Sequence, residues 1–334
     1  MKNLYKMMFL TSMTIGTFIV MSSNSWLSMW VGLEINLLSI IPLMSNLKNK
    51  LESEAAMKYF ITQSMASTIF MMAIIIILSK NDMLTTSKIT SITIDLAILT
   101  KMGAAPFHFW FPEVMEGLSW INAMIMLTWQ KIAPMIIFMY SNKPLMFTMS
   151  IIILSMMVSG LMGINQTSMR KILSYSSINH IGWMISTTLT NQTLWTIYFV
   201  MYSLMTINIV LMFKTMNISF SNQLMNSMNQ SKTMKIMFSL NFLSLGGIPP
   251  FIGFFPKWIT INSLIESNMI LLTLIMIVMT LMTLVFYMRI TFMGGIMMTT
   301  ESTIKNNTNK YKIMASNFIV LSLLAACPMM ISFI

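Results

Sequence analysis

An all-α polytopic membrane protein of about eleven transmembrane helices is the fold this sequence predicts. Three observations predict it. First, the 334 residues are 56% hydrophobic and only 9% charged, with a mean hydropathy of +0.75; an ordinary soluble domain carries about 25% charged residues. Second, the apolar residues fall in runs of about 18–25 separated by short polar links, which matches a bilayer core of about 30 Å at about 1.5 Å of helix rise per residue. Helices satisfy their own backbone hydrogen bonds in lipid, whereas barrel strands would be shorter and alternating. Third, the cations sort by side once the spans are drawn.

The spans fall at about 4–23, 26–45, 57–79, 89–109, 118–140, 145–165, 169–189, 193–213, 233–264, 269–291 and 312–333. The ninth is too long for one straight helix. It contains Gly246, Gly247, Pro249, Pro250, Gly253 and Pro256, so it reads as two half-helices around an unwound centre. Of the 20 Lys and Arg, fourteen fall at the face of the N-terminus, from Lys2 and Lys6 to Lys310 and Lys312. Lys80, Lys88 and Lys143 fall at the other face. The positive-inside rule then puts the N-terminus inside and, with an odd span count, the C-terminus outside.

Spans 4 and 9 resemble each other, each pairing a lysine with a proline-interrupted apolar stretch: Lys101 with Pro106, and Lys257 with Pro249, Pro250 and Pro256. They stand five spans apart, so a five-span unit would return inverted. Broken helices at matching positions of inverted repeats mark the transport site of many secondary transporters. The expected organisation is a first five-helix repeat over 1–140, a second over 141–291, and a loop with a C-terminal transmembrane helix over 292–334.

Lys101, Lys131 and Lys257 are the three cations left inside spans. Each lies close to a proline expected to break its helix: Lys101 before Pro106, Lys131 three residues before Pro134, and Lys257 directly after Pro256. A cation at the centre of a membrane helix costs about 2.5–3.5 kcal/mol on insertion scales, so three of them suggest a charged path through the interior. Snorkelling to the surface is the alternative for each. Glu34 sits near the middle of span 2 and is either protonated or paired with a lysine of another span. Burial favours the neutral form of a carboxyl or amine and an opposite charge favours the ionised form, so a Glu–Lys pair that opens and closes can load and release a proton. The alternative is a static pair that locks two helices. His180 and His108 are the two histidines. His180 lies mid-span beside Ser176, Ser177 and Asn179, where a histidine is either a proton relay or a hydrogen-bonded packing residue. Asp95 lines the path or faces a headgroup.

Other chemistries are excluded. The net charge of +11 is spread over helix ends with no aromatic-basic patch, so no nucleic-acid partner is expected. The one cysteine, Cys327, allows neither an internal disulfide nor a thiolate metal cluster. No phosphate-binding glycine loop or metal-ligand spacing occurs, and neither a bound cofactor nor a metal is expected. The first apolar run lacks a small-residue cleavage site and is long enough to span. The 44 methionines suit a genetic code in which an extra codon reads as Met, as in animal mitochondria.

Five stretches carry a resemblance: Glu54–Phe60 (EAAMKYF), Lys101–Val114 (KMGAAPFHFWFPEV), Thr128–Pro134 (TWQKIAP), Asn165–Trp183 (NQTSMRKILSYSSINHIGW) and Leu245–Trp258 (LGGIPPFIGFFPKW). They are similar to the antiporter-like membrane subunits of respiratory complex I, in the form found in animal and specifically insect mitochondria. The resemblance implies that Glu34 and Lys101 are the ion-paired acid and base of one half-channel. It makes Lys131 the central lysine, Lys257 the lysine of the second broken helix and His180 a residue of the polar axis. Asp95 matches no motif residue. The family's bacterial members carry further spans at the N-terminal end. Partners implied are the other membrane-arm and accessory subunits of complex I, which hold NADH, FMN, iron–sulfur clusters and ubiquinone, and membrane lipids such as cardiolipin. The implied location is the mitochondrial inner membrane, with the N-terminus on the matrix side and the C-terminus on the intermembrane-space side.

The expected mechanism follows. Quinone reduction elsewhere changes the field at one end of a row of charges, the Glu34–Lys101 pair opens, and a proton moves through water to Lys131 and then Lys257. Two other readings stand beside it: an autonomous cation/proton antiporter, and a structural scaffold whose charges are static ion pairs.

Overall fold

The computed structural model describes residues 2–46, 49–79, 84–141, 143–228, 232–249 and 251–295. Among these residues the chain is helical and contains no strand, only an isolated bridge between Ser168 and Phe220. The chain divides into two units, residues 1–151 and 152–334. The predicted eleventh span and Cys327 lie outside the described residues.

The first unit opens with α1 (Lys2–Ser22) and α2 (Trp26–Met44). Ser25 caps α2 by accepting the Ser28 amide at 3.3 Å. The two helices touch through Gly16 and Gly32: a Cβ on Gly32 would meet the Gly16 carbonyl at 2.9 Å. Next comes α3 (Lys50–Ser79), 30 residues long and so about 45 Å from end to end. It starts seven residues before the predicted span because its first turns, with Lys50, Glu52 and Glu54, extend beyond the apolar run.

The following helix, α4 (Leu84–Met102), stops short of the predicted end at 109. Gly103 takes φ +74°, and its N–H and that of Ala104 turn back to the Leu99 carbonyl at 3.0 and 3.1 Å. A left-handed glycine closing the last carbonyls in this way is a common helix stop. The chain resumes as α5 (Trp110–Gly117), α6 (Trp120–Leu127), a 3-10 turn (Trp129–Lys131) and α7 (Ile132–Tyr140).

The predicted span 118–140 is therefore interrupted, and not at Pro134. The interruption falls at residues 128–131, while Pro134 is the third residue of α7, where a missing N–H is tolerated. The proline acts one turn upstream, because it cannot donate to the Gln130 carbonyl. The backbone tightens there, and Lys131 N–H bonds Thr128 O at 3.3 Å.

The next helix, α8 (Leu145–Ile164), leads into the second unit. There α9 (Met169–Thr190) is buried on nearly every side. It packs against α10 (Gln192–Met216), α13 (Phe254–Glu266) and α14 (Ile270–Gly295). Gly182 lets the Ser155 and Met156 side chains of α8 come close. A short α11 (Ser221–Met228) precedes α12 (Lys232–Gly246). The long ninth segment is thus two helices, α12 and α13, and residues 247–249 and 251–253 between them are not helical.

Among the described residues, seven helical segments are long and apolar enough to cross a membrane: Leu4–Ser22, Trp26–Met44, Lys50–Ser79, Trp120–Tyr140, Leu145–Ile164, Gln192–Met216 and Ile270–Phe292. The segments around α4 and α12–α13 fall outside that set, and both are broken. So does α9, whose serines, threonines and asparagine make it polar.

The glycines at the two stops are not equivalent to their neighbours. Gly247 has φ +75°, and a Cβ there would meet Lys257 Cδ and Nζ at 2.9 Å. Gly246 is helical, and its nearest neighbour would be 3.6 Å away. Gly247→Ala is expected to destabilise the protein by about 1–2 kcal/mol or more. Gly246→Ala is expected to be neutral or stabilising. Thermal unfolding in detergent, followed by circular dichroism, checks both.

Candidate functional site

In the first unit Lys101, His108 and Lys131 lie at or beside helix interruptions, whereas Glu34 and Asp95 lie within α2 and α4. Lys101 is the last residue but one of α4 and is 8% exposed. Its carbonyl accepts from Gln63 Nε2 of α3 at 3.5 Å, and the preceding Thr100 carbonyl accepts from Trp110 Nε1 at 3.0 Å. Glu34 on α2 is half-buried. Its charge acts on Lys101, but the two side chains do not form a direct ion pair. Among the described residues, the direct ion pairs are on Lys58, which holds Glu54 and Glu113 at 3.0 Å each on the surface.

Lys131, 2% exposed, ends the 3-10 turn. Its Nζ lies 5.9 Å from the centroid of the Phe111 ring, within cation–π range. The residue before it, Gln130, donates to Asn36 Oδ1 at 2.9 Å and accepts from Tyr59 at 3.4 Å. The break therefore ties α2 to α3. His108 lies in the join after α4, buried, with Nδ1 3.3 Å from the Pro106 carbonyl and its ring against Phe109. Asp95, on α4, has no exposed surface, and neither carboxylate oxygen has a hydrogen-bond partner. The groups that act on it are Ser141 and Lys143, just beyond α7.

In the second unit, Lys257 is the fourth residue of α13 and is 6% exposed. Its Nζ donates to the Gly246 carbonyl at 2.8 Å. The lysine thus closes the open end of α12 from the far side of the join. His180 lies mid-way along α9, buried, with Nδ1 2.9 Å from the Tyr198 hydroxyl and its ring 4.9 Å from that of Tyr202. Asn179 donates to Thr283 Oγ1 of α14 at 3.3 Å. Among the described residues, no three His, Cys, Asp or Glu side chains gather as a metal site needs.

The two joins share a pattern that sequence reading missed. Gly103-x-x-Pro106-Phe107-x-x-x-Phe111-Pro112 has the same spacing as Gly247-x-x-Pro250-Phe251-x-x-x-Phe255-Pro256. Their backbones match as well: Gly247 N–H bonds Leu243 O at 3.1 Å as Gly103 N–H bonds Leu99 O at 3.0 Å. Phe107 N–H bonds Ala104 O at 2.8 Å, and Phe251 N–H bonds Ile248 O at 2.9 Å. Pro250 itself lies outside the described residues. In this register Lys257 stands where the first join has Glu113, and Lys101 stands where the second has Leu245. One lysine precedes its join and the other follows it.

Asn36, Tyr59, Gln63 and Gln130 also escaped sequence reading. Two had a local signal: Asn36 is two residues from Glu34, and Gln130 precedes Lys131.

Long apolar helices, with buried lysines where helices are interrupted, define a membrane protein with ionisable groups in its interior. Residues 23–283 match the family described as NADH:quinone oxidoreductase/Mrp antiporter, TM, and the chain belongs to that family. NADH-ubiquinone oxidoreductase chain 2 of Anopheles gambiae is 49% identical over 295 residues, covering 87% of this chain and 86% of the relative. That of Locusta migratoria is 48% identical over 302 residues, covering 90% and 88%. A chain of respiratory complex I from Thermus thermophilus has the same fold, with a TM-score of 0.85 at 21% identity over 96% of this chain and 77% of that one. A chain of the Mrp complex from Dietzia sp. DQ12-45-1b does too, with a TM-score of 0.76 at 16% identity over 89% and 62%.

Removing the donor at the second join tests its packing role. Lys257→Met leaves the Gly246 carbonyl without its partner and is expected to cost about 1–3 kcal/mol. Gln130→Leu strands Asn36 and Tyr59 and is expected to cost a similar amount. Thermal midpoints of the two variants against the parent protein check both.

Proposed function

We propose that this chain is a proton-translocating membrane-arm subunit of NADH:ubiquinone oxidoreductase and works in the mitochondrial inner membrane. The observation that carries this is the burial of Lys101, Lys131 and Lys257 at three helix interruptions, in a chain of this family. A lysine there is expensive as a cation and has lost the water that would fix its charge state. Its charge therefore responds to its neighbours. Glu34 acts on Lys101 from a distance, so a change of field at Glu34 alters the hold on the Lys101 proton. Lys131 in the first unit, and His180 and Lys257 in the second, are assigned the same task of binding a proton and releasing it when a nearby charge changes. His108 and Asp95 are assigned places on the route into the first unit.

The finer features belong to the same proposal: eleven spans, two inverted five-helix repeats, and an N-terminus on the matrix side. The matching hydrogen bonds of the two joins support the repeat. The partners are other membrane-arm and accessory subunits, with NADH, FMN, iron–sulfur clusters and ubiquinone held outside this chain and lipids such as cardiolipin around it. The naming of the relatives supports this assembly. The likeness to a chain of an Mrp complex supports a second reading, a cation/proton antiporter that works without a redox partner.

A native gel of gently solubilised membranes, stained for NADH dehydrogenase activity, separates the two readings. The chain is expected in a very large active band; its presence only in a small inactive band would favour the antiporter. In the assembled complex in vesicles, Lys131→Met is expected to lower protons moved per NADH oxidised several-fold. Pumping at the parent stoichiometry would sink the mechanism and leave the scaffold reading.

A further inference from the structure

Asp95 is buried without a hydrogen bond to either carboxylate oxygen. The nearby Ser141 hydroxyl already donates to the Phe138 carbonyl at 3.0 Å. An ionised carboxylate in that state costs several kcal/mol, and an asparagine or serine would fill the space at less cost. The element that reaches it is the loop after α7, whose Lys143 is half-buried with Nζ 5.3 Å from the Phe138 ring centroid. Among the described residues, Lys143 is the one charged group acting on Asp95 from the elements packed against α4. Burial pushes the Lys143 ammonium down to about 8, against the opposing pull of Asp95.

The two ends of α7 give this pair its meaning. Lys131 is at the start of that helix, and Ser141 is ten residues on, roughly 15 Å away. Asp95 stands at the Ser141 end, between the buried interior of the unit and the loop.

We propose that Asp95 and Lys143 form the proton-exchange station of the first unit at the loop after α7. The carboxyl carries a proton while Lys143 faces outward, and it gives the proton up when Lys143 turns in to pair with the carboxylate. The same proton then leaves through the loop or moves inward toward Lys131. The α4–α7 contact between them is apolar, with Ile98, Ile137 and Phe138 buried, so transfer occurs only while water enters it.

This inference rests on the proton-translocating reading above. In the assembled complex in vesicles, Asp95→Asn is expected to lower protons moved per NADH oxidised several-fold, and Asp95→Glu to restore most of the loss. Lys143→Gln is expected to lower it less and to shift its pH dependence. Parent-level pumping by Asp95→Asn, beside a defective Lys131→Met, would overturn the station alone. Parent-level pumping by both would overturn the underlying reading. If Asp95→Asn and Lys143→Gln each fail to assemble while the double variant assembles and pumps fully, the pair is a static anchor and the proposal fails. Infrared difference spectra of the parent complex during turnover decide independently of assembly: a carboxylic-acid band that shifts in Asp95→Glu supports the station, and its absence refutes it.

Discussion

A helix that stops inside an apolar surrounding must find donors for its last carbonyls, and the arrangement of this protein follows from that need. Leaving such a carbonyl bare costs about 1–3 kcal/mol. After α4 and α12 the backbone supplies part of the answer through a left-handed glycine, Gly103 or Gly247. Side chains supply the rest: Trp110 to the Thr100 carbonyl, Gln63 to that of Lys101 and Lys257 to that of Gly246. A buried ammonium needs acceptors as much as an open helix end needs donors. At the second join the two costs offset each other.

The three lysines are held by different means. Lys257 has a backbone carbonyl, Lys131 has the face of Phe111, and Lys101 has the distant charge of Glu34. Neither Lys101 nor Lys257 touches a carboxylate. The direct pairs to Glu54 and Glu113 are on Lys58 at the surface, where such pairs contribute about 0–1 kcal/mol. A protein built on static ion pairs would place its contacts the other way round. A carbonyl dipole or a ring face holds a cation less tightly than a touching carboxylate does.

Much of this was legible in the chain and some was not. Helical class and the joins at Gly103–Pro106 and Gly246–Pro256 were legible, because glycine and proline act on the backbone where they stand. The interruption at Lys131 was misplaced, because Pro134 acts through the donor it denies to Gln130, a turn upstream. The Gln130–Asn36 and Tyr59–Gln130 bonds join residues 94 and 71 apart in sequence, and no local pattern announces a pair across helices. The likeness of the two joins is legible as a lysine beside a broken helix in each, but their register is not, because it lies in the Gly-x-x-Pro-Phe-x-x-x-Phe-Pro spacing and the lysines are not the residues that correspond.

That mismatch separates the two things each join does. The pattern Gly-x-x-Pro-Phe-x-x-x-Phe-Pro sets the backbone, and its hydrogen bonds are the same in both units. The charge is placed independently, before the join as Lys101 or after it as Lys257. Glu113, the counterpart of Lys257, faces outward to Lys58. One backbone device thus serves a cation arriving from either side, since what the device provides is a helix end with unmet carbonyls. A lysine before the join lies on the helix whose end is opened and relies on a remote carboxylate. A lysine after it reaches back and takes the open carbonyl as its own partner. The two lysines therefore differ in how they are held although their helices are broken alike: Lys257 by a carbonyl it touches and Lys101 by a carboxylate it does not.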